Sequence, residues 1–396
     1  MKIPTLSFVA GTAGSGQMAD ENGVLANLDA LAEFGAFIEG TSRSGKTNVG
    51  RVFCEQTYGV VQHIILDPEG QYPSLRSAGR PYLIIGKGRD VELVLRLVGR
   101  DVDGKEEWEV DGEAVARLIL AVVDRGVSVI FDMSDYDLSD QYIIVRSIAD
   151  ALVTLPESHP RTTAVIIEEL QDYAPDGGGK DTSHNSVRRL AKRGLKRGVF
   201  MLGVSQRVAD VSKGVITQLK TKIIGGTDHK DAKRALEELG MSPSDRQLVT
   251  DLEQGQFWVK GPAFERHAQI VRAPLSETAP PKRRRGEPPA PAADAPAEIA
   301  ALAATLRQSA TEAAEKAAAA AAEQTTRRRT PSGSSIVDDE GEIAALAELF
   351  DPSGDNDNPL YRAVDELIGS RVDHVVRAMR TSLRGAFERF DLEIGP

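Results

Sequence analysis

The sequence predicts an α/β fold with a mostly parallel central sheet flanked by helices. One observation is a glycine-rich loop, residues 40–47, which lies between a short apolar run and a helical pattern. A second is a series of apolar runs without polar alternation, which is typical of strands that are covered on both faces. A third is the interleaving of these runs with helical patterns up to about residue 275.

The individual elements follow from hydrophobic periodicity and from glycine and proline breaks. Strands are predicted at Phe34–Ile38, Gln62–Leu66, Tyr82–Ile85, Ser128–Asp132, Thr163–Ile167, Val199–Val204, Thr221–Gly225 and Gln256–Val259. Helices are predicted between them at Lys46–Tyr58, Val91–Val98, Gly112–Val123, Ser139–Thr154, Ser186–Gly198 and Lys230–Leu239.

Length and composition limit the class of protein. With 396 residues the chain exceeds one typical domain, and 41% hydrophobic residues are enough for a core built mainly from aliphatic side chains. The single cysteine, Cys54, excludes an internal disulfide and favours a reducing compartment. No apolar run is long enough for a membrane helix, and the N-terminus does not read as a signal peptide. We therefore expect a cytoplasmic protein with no membrane contact.

The glycine-rich loop has the form G-x-x-x-x-G-K-[ST], with Lys46 and Thr47 at its end. Between a strand and a helix, such a loop presents backbone N–H groups to phosphates at the helix N-terminus. Lys46 is expected to reach the β- and γ-phosphates of ATP, and the Thr47 hydroxyl to bind Mg²⁺. A glycine turn followed by a surface lysine is the alternative. The predicted nucleotide-binding residues are Gly40, Thr41, Ser42, Arg43, Ser44, Gly45, Lys46, Thr47 and Asn48.

Two carboxylates follow the apolar run that ends at Ile167. Glu168 is predicted to hold Mg²⁺ through its water shell, and Glu169 to orient and polarise the attacking water. Phosphoryl transfer depends on such positioning and charge stabilisation more than on covalent chemistry. The alternative is a strand whose exposed end carries ordinary acidic residues.

Polar residues also follow two other predicted strands. Gln206 comes after the Val199–Val204 run and could bind the γ-phosphate or the lytic water, or could instead satisfy a loop backbone. Asp67 and Glu69 follow the Gln62–Leu66 run, either as turn residues or at the carboxyl edge of the sheet, where ligands of open α/β sheets bind.

The segment Ser186–Arg197 is the most basic part of the predicted core. At helical spacing, its arginines and lysines would form a positive stripe of mutually repelling charges. It is a solvated face, a DNA-facing surface, or the source of an arginine offered to a neighbouring subunit. Arg193, Arg197 and Arg207 are the candidates for an arginine that acts in trans, and we favour Arg193.

Taken together, these segments resemble the HerA/FtsK superfamily of ring-forming P-loop motors. The resemblance rests on Glu39–Asn48, Leu66–Tyr72, Val165–Glu169, Arg193–Arg207, Thr217–Ile224 and Leu252–Val259. It implies a RecA-like core, a homo-hexamer, ATP bound between subunits and an arginine supplied in trans. The chain has Glu168-Glu169 where the family usually has Asp-Glu. The β-barrel that precedes the motor in full-length HerA proteins is not expected here.

The predicted domain organisation follows the change in composition near residue 275. We expect an N-terminal segment (1–29), the ATPase domain (30–275), a low-complexity linker with an alanine-rich helix (276–340) and a small helical module (341–396). The helical candidates after the domain are Ala297–Gln324, Glu342–Phe350 and one or two amphipathic helices in Asn358–Phe390. The last of these would dock on the core, on a neighbouring subunit or on an effector protein. The basic cluster Lys282–Arg285 is a solvated charge run or a flexible contact to nucleic-acid phosphates.

The leading functional hypothesis is an ATP-driven DNA translocase or helicase-like motor. A motor for viral genome packaging or conjugative transfer is a related alternative. A different class is a nucleotide-gated scaffold that hydrolyses ATP slowly and recruits an effector, such as a nuclease in phage defence. The net charge of −11 argues against a general nucleic-acid coat, but it is compatible with a local basic surface.

Overall fold

The computed structural model describes residues 3–9, 23–100, 105–157, 159, 161–179, 183–278, 293–309 and 311. The predicted helices at Glu342–Phe350 and Asn358–Phe390 and the basic cluster Lys282–Arg285 lie outside the described residues. Within the described part of the chain, every helix is too short or too polar to cross a lipid bilayer.

A mixed sheet organises the described residues, and eleven of their thirteen strands belong to it. The strands are β1 (Thr5–Val9), β2 (Gly23–Asn27), β3 (Ala36–Glu39), β4 (Gln62–Asp67), β5 (Leu83–Ile85), β6 (Leu95–Arg100), β7 (Glu106–Val110), β8 (Val129–Asp132), β9 (Thr163–Ile167), β10 (Val199–Ser205), β11 (Thr221–Ile224), β12 (Gln256–Lys260) and β13 (Gln269–Arg272). Their order in the sheet is β2-β1-β13-β12-β11-β3-β10-β9-β4-β8-β5, and β6 and β7 form a separate antiparallel hairpin.

Helices cover both faces of this sheet. They are α1 (Leu28–Phe34), α2 (Lys46–Thr57), α3 (Gly112–Arg125), α4 (Leu138–Leu152), α5 (Leu170–Tyr173), α6 (His184–Arg193), α7 (Lys213–Ile216), α8 (Ala232–Leu239), α9 (Arg246–Thr250) and α10 (residues 297–309). Asn27, Asp111 and Asp137 begin α1, α3 and α4 by accepting hydrogen bonds from backbone N–H groups of the first turn.

The block from β11 to β5 is parallel throughout, and β3 lies inside it between β11 and β10. The carboxyl ends of β3, β4, β9 and β10 therefore meet at one edge. The glycine-rich loop, residues 40–47, and the acidic residues that follow β9 lie at this edge. We call this loop the phosphate-binding loop. The strands β12 and β13 continue the sheet in antiparallel fashion on the other side of β11.

Side chains of each central strand alternate between two hydrophobic cores. Along β4, Ile64 and Leu66 face one core, while Ile65 faces the other. Along β9, Val165 and Ile167 face the first core, and Ile166 faces the second. This two-sided burial explains why the sequence shows continuous apolar runs.

All eight predicted strands are present, with ends that shift by one or two residues, and Thr163–Ile167 is unchanged. The predicted helix Val91–Val98 is wrong, because this segment enters β6 and pairs with β7. Leu97 lies opposite Trp108 in that hairpin, and both side chains are about half exposed. The predicted helix Ser186–Gly198 is too long, because α6 ends at Arg193 and a 3-10 turn follows.

The N-terminal residues add to the sheet, which the sequence analysis did not anticipate. Strand β1 pairs with β2 and, at Thr5, with Arg272 of β13. Phe8 of β1 packs edge-on against Phe53 of α2, with ring centroids 5.3 Å apart. The predicted domain boundaries remain predictions, but these contacts show that residues before 29 share the core of the domain.

The segment 274–278, which we call the strap, binds along one face of α2. The Asn48 amide donates to the carbonyl of Pro274 at 2.7 Å and accepts from the Ser276 N–H at 2.9 Å. One helical turn further, the buried Arg51 guanidinium donates to Ser276 and Thr278. Burial acts to raise the pKa of Glu55, but hydrogen bonds from Ser276 and Thr278 hold it below its usual value. The strap is therefore fixed by polar contacts at three successive turns.

Helix α10 packs on the same core as α3. Ile299, Ala303 and Leu306 are buried and fall at the i, i+4, i+7 spacing of one helix face. Arg307 donates a hydrogen bond to the carbonyl of Asp90 at 2.8 Å. The residues after 275 thus contact the domain more extensively than their proline- and alanine-rich composition indicates.

Arg51→Ala should destabilise the protein, because it removes the guanidinium that donates to the carbonyl of Gln71 and to the hydroxyls of Ser74 and Thr278. We expect the free energy of unfolding to fall by about 2–4 kcal/mol, measured by urea unfolding. The matched control is Arg117→Ala, which removes an exposed arginine 3.7 Å from Glu113 and should change stability by less than about 0.5 kcal/mol. Equal effects of the two substitutions would show that the strap contacts contribute little.

Candidate functional site

The phosphate-binding loop joins β3 to α2 at the carboxyl edge of the sheet. Gly45 precedes α2 with φ 106°, a conformation that favours glycine. A Cβ at Gly40 would lie 2.5 Å from the Ser44 hydroxyl, so the loop can close this tightly only without a side chain there. The Thr41 N–H donates to the carbonyl of Gly226 at 2.8 Å, which ties the loop to the end of β11.

Lys46 and Ser44 provide polar groups for an anion in this loop. The Lys46 ammonium lies 3.3 Å from the carbonyl of Thr41, and its side chain is almost fully buried. Burial lowers the pKa of Lys46, while Glu169 and Glu168 act to raise it. The buried Ser44 hydroxyl has no hydrogen-bond partner among the described residues. An unpartnered hydroxyl and N–H groups at a helix N-terminus fit the phosphate groups of a nucleotide.

Glu168 is buried at the end of β9 and faces α2. Its Oε1 accepts a hydrogen bond of 2.5 Å from the hydroxyl of Tyr72. Burial raises the pKa of Glu168 to about 8, although the Tyr72 hydrogen bond acts in the opposite direction. A buried carboxyl that resists ionisation needs a cation nearby to become charged.

Glu169 is held by two amide side chains. Its Oε1 accepts a hydrogen bond of 2.9 Å from Gln206, and its Oε2 accepts one of 2.5 Å from Gln171. The other end of Gln171 accepts from the hydroxyl of Ser205 at 2.7 Å. The ends of β9 and β10 are thus joined through one carboxylate. Glu169 and Gln206, which the sequence analysis proposed separately, are therefore in direct contact.

Two residues of the site have a backbone conformation that L-residues with side chains seldom adopt. Among the described residues, the only non-glycine residues with positive φ are Arg43 (68°) and Glu169 (50°). Each costs about 1–2 kcal/mol relative to a right-handed conformation. Both lie where the nucleotide site is predicted, and such strain concentrates at functional sites.

Glu39 is an acidic residue of the site to which the sequence analysis gave no role. It ends β3 directly before the loop, it is fully buried, and neither carboxyl oxygen has a hydrogen-bond partner among the described residues. Burial raises the pKa of Glu39 to about 8, and the nearby Asp231 adds to this effect, while Thr227 and Lys46 oppose it. The sequence signal was a glutamate at the end of an otherwise apolar strand.

Asp67 occupies the carboxyl end of β4, as predicted for the edge of the sheet. Its Oδ2 accepts a hydrogen bond of 2.8 Å from the N–H of Tyr72, so it shapes the loop that follows β4. Burial raises the pKa of Asp67 to about 7. Asp67 therefore stabilises a turn and also lies at the carboxyl edge of the sheet, so the two interpretations are compatible.

The donor set also fits Mg²⁺. Among the described residues, no group of three or more His, Cys, Asp or Glu side chains could hold a metal ion alone. Mg²⁺ in nucleotide sites takes one or two protein ligands and completes its shell with phosphate oxygens and water. Thr47 at the start of α2 and Glu168 at the end of β9 would supply the protein side of that shell.

Other predicted residues are placed elsewhere. The side chain of Asn48 forms hydrogen bonds with the strap. Arg193 ends α6 on the amino side of β10, whereas Gln206 follows its carboxyl end. Because β10 has seven residues, its two ends are about 20 Å apart, so Arg193 and the loop of its own chain lie toward opposite edges of the sheet. Arg207 lies on the loop side, and its guanidinium pairs with Asp231 at 2.8 Å.

The basic stripe predicted on α6 is only partly present. Arg189 pairs with Asp150 at 2.7 Å, and Arg197 in the 3-10 turn donates to the carbonyl of Leu155. Arg188, Lys192 and Arg193 remain exposed on the helix. The positive surface is therefore smaller than a continuous helix through Arg197 would give.

Comparisons with known proteins give partial similarities. No family model matches the chain. Probable helicase MJECL08 of Methanocaldococcus jannaschii is 34% identical over 114 residues, which is 28% of this chain and 21% of that protein. The chain thus spans about a fifth of the length of this relative.

Solved structures provide similar folds at low identity. The genome packaging NTPase B204 of Sulfolobus turreted icosahedral virus 2, in complex with ATP-gammaS, is 14% identical with a TM-score of 0.38, over 60% of this chain and 96% of that chain. The bacterial conjugative coupling protein TrwB is 12% identical with a TM-score of 0.46, over 67% and 90%. VirB4 of Thermoanaerobacter pseudethanolicus is 12% identical with a TM-score of 0.47, over 68% and 99%. The α/β architecture of this chain rests on its own topology, a mostly parallel sheet with a glycine-rich loop between β3 and α2.

Glu39→Gln should stabilise the nucleotide-free protein at high pH. The pKa of Glu39 is about 8 against an ordinary value of 4.5, so the folded protein keeps a proton that the unfolded chain has lost between these pH values. The carboxyl therefore reduces stability by about 1.4 kcal/mol per pH unit across this window. We expect a gain of about 2–5 kcal/mol at pH 8.5 and little change at pH 5, measured by urea unfolding. The control is Glu113→Gln, which replaces an exposed acid. An equal effect of Glu39→Gln at both pH values would contradict the assignment.

Proposed function

We propose that this protein is an ATP-hydrolysing, ring-forming motor of the HerA/FtsK kind that translocates or unwinds DNA. The observation that carries the proposal is the hydrogen bond of 2.9 Å from Gln206 to Glu169. This pair is close enough to the loop that the charge of Glu169 acts to raise the pKa of Lys46. A phosphate-binding lysine, an acid and a polar residue from a neighbouring strand are the parts that hydrolysis of the γ-phosphate requires.

The residues of the loop would bind and orient ATP. The N–H groups of residues 40–47 would surround the phosphates, and Lys46 would neutralise charge on the β- and γ-phosphates. Thr47 and Glu168 would hold Mg²⁺, which when bound neutralises phosphate charge. The ammonium of Lys46 can turn to the phosphates by giving up its 3.3 Å contact with the Thr41 carbonyl.

The two residues beyond β9 and β10 would act on the attacking water. Glu169 would accept a hydrogen bond from the water and align it with the γ-phosphate. Gln206 and Gln171 would fix the carboxylate in that position, since each donates to a different oxygen. The left-handed backbone of Glu169 turns the side chain away from the path of the strand and toward the loop edge.

A ring is proposed because Arg193, the arginine that we favour for a role in trans, lies toward the edge of the sheet opposite to the loop of its own chain. Arg207 directly follows Gln206, but its guanidinium is paired with Asp231 and Asp210. Arg193 is exposed, and none of the described carboxylates pairs with it, but it lies at the opposite edge of its own sheet. It could reach a nucleotide only in a neighbouring subunit, which favours a homo-hexamer with shared sites.

DNA is the proposed partner of the ring. Arg188, Lys192 and Arg193 give an exposed basic surface on a chain of net charge −11, so the positive charge is local. The name of the archaeal relative, a probable helicase, agrees with this partner. Packaging or conjugative transfer of DNA would use the same core.

A second candidate is a nucleotide-gated scaffold, which would hydrolyse ATP slowly and recruit an effector protein through the C-terminal segments. It is favoured by one observation, the raised pKa of Glu168, which is about 8. A carboxyl that is largely neutral near pH 7 binds Mg²⁺ weakly until the nucleotide brings the cation with it. Stimulation of the ATPase rate by duplex DNA separates the candidates: at least tenfold stimulation supports the motor, and none supports the scaffold.

Glu169→Gln should bind ATP normally and lose hydrolysis, because it keeps the shape of the side chain and removes the charge that polarises water. We expect the ATPase rate to fall by about 10²–10⁴-fold. Lys46→Ala should instead weaken nucleotide binding itself, measured by fluorescence titration with a labelled ATP analogue. The control is Glu113→Gln, an exposed acid outside the site. Hydrolysis at the wild-type rate by Glu169→Gln would overturn the assignment of the catalytic acid.

Arg193→Ala should lose hydrolysis without losing nucleotide binding, with a decrease of about 10³-fold or more if it acts on the phosphates in trans. Mixing this variant with Lys46→Ala should restore part of the activity, because some interfaces then combine an intact loop with an intact arginine. The control is Arg117→Ala, an exposed arginine on α3. A fully active monomer at high dilution would contradict the shared site.

A further inference from the structure

Tyr72 is a fully buried residue of the candidate site, and its hydroxyl contacts Glu168. We propose that Tyr72 is a positioning residue for Glu168, and that Gly50 of α2 is a glycine because it leaves room for the Tyr72 hydroxyl. This inference rests on the proposed function, since it concerns the carboxyl group that would hold Mg²⁺.

The hydroxyl of Tyr72 contacts the carboxyl of Glu168 directly. It donates to Oε1 at 2.5 Å, and the whole tyrosine side chain is inaccessible to solvent. The backbone of Tyr72 is fixed as well, because its N–H donates to Asp67 at 2.8 Å and its carbonyl accepts from Leu75 at 2.9 Å. With Oε1 engaged in this way, the other carboxyl oxygen of Glu168 would be the one left for a cation.

Gly50 is explained by space and not by backbone conformation. It lies in the second turn of α2, and its φ is not among the positive values of the described glycines. A Cβ there would lie 2.3 Å from the Tyr72 hydroxyl oxygen, 3.5 Å from its Cζ and 3.7 Å from Oε1 of Glu168. Glycine inside a helix costs about 1 kcal/mol relative to alanine. The space that the Tyr72 hydroxyl occupies explains why a glycine stands here in spite of that cost.

The neighbour of Gly50 on α2 secures the loop on either side of Tyr72. Arg51 donates to the carbonyl of Gln71 and, at 2.7 Å, to the hydroxyl of Ser74. The same guanidinium holds Thr278 of the strap. The loop that carries Tyr72 is therefore attached to the helix that carries Lys46 and Thr47, so the tyrosine and the phosphate-binding loop keep a fixed spacing.

The role follows from the chemistry of a glutamate at this position. Glu has one more rotatable bond than Asp, so its carboxyl group has more positions to choose from at the end of β9. A hydrogen bond from a rigid, buried phenol selects one of them before the cation arrives. Preorganisation of this kind increases affinity by lowering the ordering cost of binding.

The test is the Mg²⁺ dependence of binding of a non-hydrolysable ATP analogue, measured by equilibrium fluorescence titration of the full chain, with binding in EDTA as a second readout. Tyr72→Phe should raise the half-saturating Mg²⁺ concentration by about 5–50-fold and leave binding in EDTA within about twofold of wild type. The matched control is Tyr82→Phe, which removes an equally buried hydroxyl that lies 2.7 Å from His63. It should leave the Mg²⁺ midpoint unchanged.

Gly50→Ala gives a second test that removes no polar atom. The added methyl should displace the hydroxyl and raise the Mg²⁺ midpoint as Tyr72→Phe does. The double variant should be no worse than either single variant, because a phenylalanine leaves only the 3.5 Å contact with Cζ.

The outcomes separate this inference from the proposed function. Additive effects of the two substitutions, or a Tyr72→Phe midpoint equal to that of wild type, would overturn the role of Tyr72 while leaving the nucleotide site intact. An equal shift in Tyr82→Phe would reduce the effect to general stability and would also overturn it. Wild-type binding that shows no dependence on Mg²⁺ would overturn the proposed function, and this inference with it.

Discussion

The burial of one ammonium group among several carboxyl groups is the constraint on which the site depends. Lys46 is almost fully buried beside the loop, and the charges of Glu169, Glu168 and Glu39 act on it. Glu39 and Glu168 are shielded from solvent, and this burial raises the pKa of each to about 8. The sheet edge therefore holds an electrostatic arrangement that becomes more favourable when phosphate and a cation enter.

The hydrogen bonds around this arrangement connect elements that are distant in the sequence. Glu169 links the end of β9 to the end of β10 through Gln206 and Gln171. Glu168 links β9 to the loop after β4 through Tyr72. Helix α2 then joins that loop to the strap, because the Arg51 side chain contacts both. A displacement of α2 on binding of nucleotide would change the contacts at each of these places, including the strap.

Polar contacts along α2 also hold the strap in place, although the sequence predicts a linker from residue 276. Burial of Ser276 and Thr278 against a charged arginine and a glutamate satisfies their backbone and hydroxyl groups. Such contacts depend on the positions of Asn48, Arg51 and Glu55 on one face of a helix. That spacing is visible in the sequence, but its partner 220 or more residues away is not.

The sequence by itself determined the α/β class, the phosphate-binding loop and the central strands, because continuous apolar runs and a glycine loop are local patterns. It also predicted Glu168, Glu169 and Gln206 as candidate site residues, since each follows a strand whose carboxyl end must lie at the ligand edge. Only the tertiary structure decided the β6–β7 hairpin, the strands β1, β2 and β13, the end of α6 at Arg193, the burial of Glu39 and the contacts of Gln171 and Tyr72. The physical reason is that these depend on pairing or burial between distant segments. An apolar stretch such as Val91–Val98 becomes a strand when a partner such as β7 takes up its backbone hydrogen bonds, and a glutamate becomes an uncharged buried acid only when the fold surrounds it.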